Sequence, residues 1–214
     1  MTVTKRGKFF TPLNMTKIAM LSAVAFILTL DGIFRWRLPI FPSFLAMDIS
    51  DMPAVVGSMA LGPFAGFWIL AIRNILDVLI TGSSSGGIGP VVNFITGATY
   101  ILPLAFIYHR IKGIKGFLLG ALAGTLISTI IALILNYFVL IPVFANLFFE
   151  GNIDRIIGMG TAINENITSL FTLLAYSLLP FNLLKNLLVT ISSFIVFKAL
   201  SPVFEALKRK SNSA

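Results

Sequence analysis

The chain has 214 residues, of which 57% are hydrophobic and 11% charged, against about 25% charged in a soluble domain, and so reads as an integral membrane protein. Its long continuous apolar runs exclude a transmembrane β-barrel, which needs alternating strands of about 10 residues. Without cysteine and with His109 as its one histidine, the chain offers no disulfide, thiolate nucleophile or histidine metal site, and its net charge of +8 points to orientation and anionic lipid rather than nucleic acid.

A spanning helix needs about 20 mostly apolar residues, and six such segments are expected. The fold class is an all-α integral membrane protein, a six-transmembrane-helix bundle with a long capping loop after helix 1, in one membrane domain over 1–214. The first span is expected at 15–34. "KRGKFFTPLNMTKIAMLSAVAFILTL" has the basic start and apolar core of a signal peptide, but "DGIFRWRLPIF" follows without a small-residue cleavage site, so a retained helix is expected. Ala19 and Ala23 stand four apart in it, with Ser22 beside them, a spacing that lets helices approach closely in lipid. Internal packing and docking of another membrane protein both fit that face.

Residues 35–52, "RWRLPIFPSFLAMDISDM", are too apolar for a solvated loop and are expected to fold back over the outer mouth of the bundle. Spans two and three, 52–61 and 63–81, share one apolar run broken at "LGP", because proline cannot donate to the helix ladder. Arg73, Asn74 and Asp77 cluster in span three, and Arg73 and Asp77, at i and i+4, are read as an intramembrane ion pair. The turn "TGSSSGGIGP" lacks the Lys-Ser/Thr ending of a phosphate-cradling loop.

Span four is expected at 90–109, with Asn93 near its start as a cap or a ligand contact. Span five, 116–142, carries Gly116, Gly120 and Gly124 at helix-packing intervals, and late in it Asn136 offers amide donors and an acceptor. A longer connection, 143–166, leads to span six at 167–200. There "LLPFNLLKNLLV" places Asn182 and Lys185 three residues apart on one face, after Pro180. An ionisable residue at membrane depth is a functional hypothesis by default.

Lys5, Arg6, Lys8, Lys17, Arg110, Lys112, Lys115, Lys198, Lys208, Arg209 and Lys210 all fall on one side of this topology, and only Arg35, Arg37 and Arg155 on the other. The positive-inside rule then puts both termini in the cytoplasm. Catalysis finds no support: HExxH, GxSxG and a clustered intramembrane carboxylate pair are all missing, as is a nucleotide-binding motif.

"FLAMDISDMPAVVGSMALGPFAGFWILAIRNIL" (44–76) with "GGIGPVVNFITGATYILP" (86–103) resembles the substrate-binding S components of energy-coupling factor vitamin transporters. "NYFVLIP" (136–142) and "PFNLLKN" (180–186) resemble the riboflavin-specific branch. The resemblance implies a multi-pass protein of the bacterial cytoplasmic membrane that takes up its vitamin from outside. It implies work with one membrane coupling protein and two ATPases, toppling in the bilayer to deliver the vitamin. Riboflavin would be the transported substrate, with no cofactor and no enzyme activity. Asn136, Asn182 and Lys185 match family positions that hold the polar edge of the flavin ring. Leu45, Ala46 and Met47 would cover the ring, Asn93 would lie at the same depth, and Asp48 would order the loop. Ala19 and Ala23 match the spacing of the face that docks the coupling protein, and Asn186 stands where the family usually has glycine. The alternatives are an S component for pantothenate or folate, with Arg35 or Arg37 as the extra cation, a small membrane enzyme, and a structural subunit.

Overall fold

The computed structural model describes residues 11–31, 34–82 and 87–212, with the backbone alone from 201 onward. Lys5, Arg6, Lys8, the 83–86 part of the Gly/Ser-rich turn and the side chains of Lys208, Arg209 and Lys210 lie outside the described residues.

Proline and small polar residues set most helix starts. Helix α1 (Pro12–Ile27) opens with Thr11, whose hydroxyl accepts from the Asn14 amide at 3.2 Å, and with proline in the first turn, where its missing N–H costs nothing. It ends well short of residue 34. Thr29 turns its hydroxyl back onto the Phe26 carbonyl at 2.6 Å, and the apolar Leu28 and Leu30 continue the composition but not the helix.

Residues 28–51 contain no helix among those described, and isolated bridges take the place of a strand. Trp36 and Met47 exchange both backbone hydrogen bonds, at 2.8 and 2.7 Å, which folds the segment into a closed loop. Phe41 and Met47 bury themselves against Phe181, and the Phe41 and Phe181 rings meet edge-on at 5.4 Å. The segment is therefore packed into the bundle.

Helix α2 (Met52–Leu61) is followed at once by α3 (Pro63–Leu76). The break falls at Gly62, whose φ of 110° belongs to glycine, and Pro63 starts the next helix. Helix α3 runs into a π-helical turn, Asp77–Thr81. Helices α4 (Ile88–Ile111) and α5 (Gly113–Leu135) form a tight hairpin. A β-carbon on Gly120 would lie 2.7 Å from the Leu104 carbonyl oxygen, and one on Gly124 would collide with that of Tyr100. The glycine spacing in span five thus serves internal packing.

Helix α5 continues through a π-helical turn, Asn136–Leu140, into α6 (Ile141–Phe149), so helical backbone reaches past the expected end at 142. The 143–166 connection also holds α7 (Ile153–Thr161). Helix α8 (Leu170–Leu173) passes through a third π-helical turn, Leu174–Leu178, into α9 (Leu179–Asn212).

Among the described residues four helical stretches are long and apolar enough to cross a membrane: Pro63–Thr81, Ile88–Ile111, Gly113–Phe149 and Leu170–Leu200. Pro12–Ile27 and Met52–Leu61 are apolar but shorter. The protein is an all-helical, multi-pass membrane protein, with two of the six expected spans below that length. Its main core joins α1 to α5 and α9 around Ile69, Leu70, Ile101 and Leu104. On α5, Leu118, Leu122, Leu126, Ile130 and Ile134 are exposed at helical spacing, a stripe suited to lipid rather than water.

Candidate functional site

One end of the bundle encloses a cavity of about 290 Å³. The 28–51 segment closes one side, and the first turns of α4, the end of α5 and the start of α9 form the rest. Two of the three π-helical turns lie at these rims, one beginning at Asn136 and one ending two residues before Pro180. A π turn rotates the side chains that follow it relative to an α register, and such turns recur at functional sites.

Asn136 and Asn182 face the cavity from different helices. Each donates one N–H to the carbonyl four residues back, Asn136 to Ala132 at 2.7 Å and Asn182 to Leu178 at 2.8 Å. Each keeps its second N–H and its carbonyl oxygen without a hydrogen-bond partner among the described residues. Lys185, on the same wall, has Nζ 3.7 Å from Asp48 Oδ2. That separation gives charge compensation but lies beyond hydrogen-bond length, so the ammonium retains its donors. Below them Asn186 donates to Ser128 Oγ at 2.9 Å. This bond ties α9 to α5 at the cavity floor.

The loop carboxylates are anchored from behind. Asp48 Oδ1 accepts from the Ser50 backbone N–H at 3.0 Å and from its hydroxyl at 2.5 Å. The Ser50 oxygen in turn accepts from Arg73 Nη1, which also sits 3.3 Å from Asp51 Oδ1. Arg73 is 3% exposed, so this is a buried network of two cations and two anions that joins α3, the loop and α9. Burial pushes the Asp48 carboxyl up, but the Lys185 and Arg73 charges and the two Ser50 hydrogen bonds outweigh it and hold it below the ordinary carboxylate range.

The expected Arg73–Asp77 ion pair is not formed. Arg73 turns to the buried side and pairs with Asp51, while Asp77 opens a π-helical turn and accepts from Thr81 Oγ1 at 2.8 Å. The i,i+4 rule assumes an unbroken α-helix, and the helix changes type at Asp77 itself. Asn93 is not a cap either, because α4 begins at Ile88; it sits on the cavity wall in the second turn.

Leu45, Ala46, Asn93, Asn136, Asn182 and Lys185 all line the cavity. Met47 does not; it is 2% exposed, behind the wall, in the cluster with Phe41 and Phe181. Its backbone exchanges hydrogen bonds with Trp36, and its side chain is buried with Phe41 and Phe181. Asp51, Ser128 and Phe181 also line the cavity and were not singled out by sequence, although Phe181 lies inside the "PFNLLK" stretch. Arg35 and Arg37 stand at the mouth, each near Asp31, at 3.6 and 3.4 Å. Ala19 and Ala23 lie far along α1 on its exposed side, while Ser22 beside them is fully buried and bonds to the Ile18 carbonyl.

Residues 13–197 match the family described as ECF transporter, substrate-specific component. The chain belongs to this family. Among its relatives, "Riboflavin transporter FmnP" of Bacillus subtilis (strain 168) is 33% identical over 193 residues, covering 90% of this chain and 94% of the relative. "Riboflavin transporter RibU" of Staphylococcus aureus (strain TCH60) is 30% identical over 188 residues, covering 88% and 90%. A solved structure, "Structure and mechanism of the S component of a bacterial ECF transporter", superposes with a TM-score of 0.69 at 28% identity, covering 89% of this chain and 96% of that one. This S component is thus a transport protein of the membrane and not an enzyme.

Proposed function

We infer that this S component binds riboflavin and delivers it across a bacterial cytoplasmic membrane with a module of one coupling protein and two ATPases. The observation that carries the reading is the convergence of Lys185, Asn182 and Asn136 on one cavity with donors and acceptors unspent. The imide edge of an isoalloxazine ring alternates carbonyl acceptors with an N–H donor, and two amides and an ammonium complement it. Leu45, Ala46 and Phe181 supply apolar wall for the flat ring, as ligand sites generally do. The names of the relatives support the vitamin assignment.

In this reading the 28–51 segment is the cap of the site, and the chain is a single domain crossing the bilayer six times, with α1 and α2 as the two short crossings and both termini in the cytoplasm. The exposed Ala19 and Ala23 face of α1 receives the coupling protein. For a carboxylate vitamin such as pantothenate or folate the extra cation would come from Arg35 and Arg37, which share one carboxylate, Asp31; the names of the relatives favour riboflavin.

The test is a spectrum. Protein purified in detergent from cells grown with riboflavin is expected to carry flavin absorption bands near one ligand per chain. Colourless protein that also leaves the fluorescence of added riboflavin unquenched rejects the assignment. Lys185→Ala removes a charged donor, an interaction of about 1.5–3 kcal/mol, and should weaken binding by about tenfold or more in a fluorescence titration.

A further inference from the structure

We propose that Asp48 is a specificity determinant: by balancing Lys185 without occupying its donors, it makes the cavity select a neutral ligand ring over an anionic one. This rests on the flavin reading above and adds to it the charge state of the ring.

The geometry supplies three supports. The Lys185 ammonium and the Asp48 carboxylate are 3.7 Å apart, close enough to cancel charge and too far to use up an N–H. Asp48 cannot swing aside, because both Ser50 hydrogen bonds hold its Oδ1 and Arg73 holds Ser50 from α3. Third, the charges at the buried end sum to zero, with Arg73 and Lys185 set against Asp48 and Asp51. The remaining charged groups of the cavity, Arg35 and Arg37, stand at the mouth and share Asp31, away from the Lys185–Asp48 pair; the Arg37 and Asp31 side chains are 51% and 56% exposed, where solvent screens them.

A flavin imide loses its N–H proton to water in alkaline solution and becomes an anion. At the buried end, where Arg73 and Lys185 balance Asp48 and Asp51, that anion has no unpaired cation to meet. Without the Asp48 charge, Lys185 would stand uncompensated beside the imide and draw the proton off at lower pH.

The experiment is a pH titration of riboflavin bound to the purified protein, followed by the near-ultraviolet band shift that accompanies loss of the imide proton. Wild-type protein should keep the ring neutral at least up to the pH at which free riboflavin deprotonates. In Asp48→Asn the midpoint should fall by about one pH unit or more, the effect of an opposite charge at this range. In Asp48→Asn/Lys185→Gln it should return to the wild-type value, a reversal that a purely structural role for Asp48 would not produce. A wild-type midpoint below that of free riboflavin, or an unmoved midpoint in Asp48→Asn, overturns the proposal. Should Asp48→Asn fail to fold or bind, the wild-type titration decides alone. Wild-type protein that takes up no flavin sinks the flavin reading itself; one that binds flavin with an easily ionised ring sinks only the role of Asp48.

Discussion

Arg73 and Asp77 are four residues apart in sequence and serve different partners. Arg73→Gln leaves buried Asp51 without its cation and removes the charged donor to Ser50, and breaking a buried pair in this way costs about 3–5 kcal/mol. Asp77→Asn keeps an acceptor for Thr81 on a half-exposed turn and should change stability by less than about 0.5 kcal/mol. Thermal melts of both variants in the same detergent separate the two roles, and equal losses would restore the ion pair expected from spacing. Acid gives a second test at this scale. The folded Asp48 carboxyl titrates below its ordinary range, so its contribution to stability is fully present above that range. It is lost only as pH falls through the lowered value. The melting temperature should show no Asp48-dependent fall between neutral and mildly acidic pH, and the difference between wild type and Asp48→Asn should close only in stronger acid.

Among the elements, punctuation by glycine and proline was the most legible signal. The expected spans 52–61 and 63–81 coincide with α2 and with α3 plus its π turn, because Gly62 and Pro63 allow a break at one place. The end of α1 was not legible. Leu28, Leu30 and Phe34 keep the apolar composition going, while the backbone tightens into i→i+3 bonds from Thr29 to Phe26 and from Leu30 to Ile27, a change that composition does not announce. The π turns left no trace in hydropathy, and they decide both the loss of the Arg73–Asp77 pair and the setting of Asn136. Lys185, Asn182 and Asn136, which line the cavity, stand out in the sequence because polar groups in lipid need a reason. The Lys185–Asp48 and Arg73–Asp51 partnerships do not, because each joins a loop to a helix distant in the chain. The α4–α5 hairpin yields a sharper test. Gly120→Ala and Gly124→Ala push a β-carbon into the backbone of α4, where no rotamer change relieves it, and should cost about 1–3 kcal/mol each. Gly158→Ala in α7 meets nothing within 4 Å and should be neutral or stabilising by about 0.5–1 kcal/mol, as chemical or thermal unfolding in detergent will report.

At the scale of the whole molecule, the cavity and the α1 face are separate surfaces. Ala19 and Ala23 are exposed and line no part of the cavity. On the proposed riboflavin and docking roles, Ala19→Leu/Ala23→Leu should therefore leave riboflavin affinity unchanged while abolishing vitamin uptake in cells that supply the coupling module. Loss of both functions would mean that α1 packs against the site after all. Uptake retained in full would move the docking surface elsewhere.

The continuous helical stretch Gly113–Phe149 has 37 residues, a contour of about 55 Å at 1.5 Å per residue, and it is predominantly apolar. The hydrocarbon layer it inhabits is about 30 Å thick. Pro12–Ile27 and Met52–Leu61 are shorter than that layer in the same molecule. Helix α2 is shielded from lipid, with Pro53 to Met59 buried, but the exposed α5 stripe asks for a thick bilayer and the exposed face of the short α1 for a thin one, and no upright pose satisfies both. Tilt relieves such a conflict at a cost of a fraction of a kcal/mol per Å of mismatch. Lipid chain length therefore becomes a control on how this bundle leans, independent of any ligand or partner.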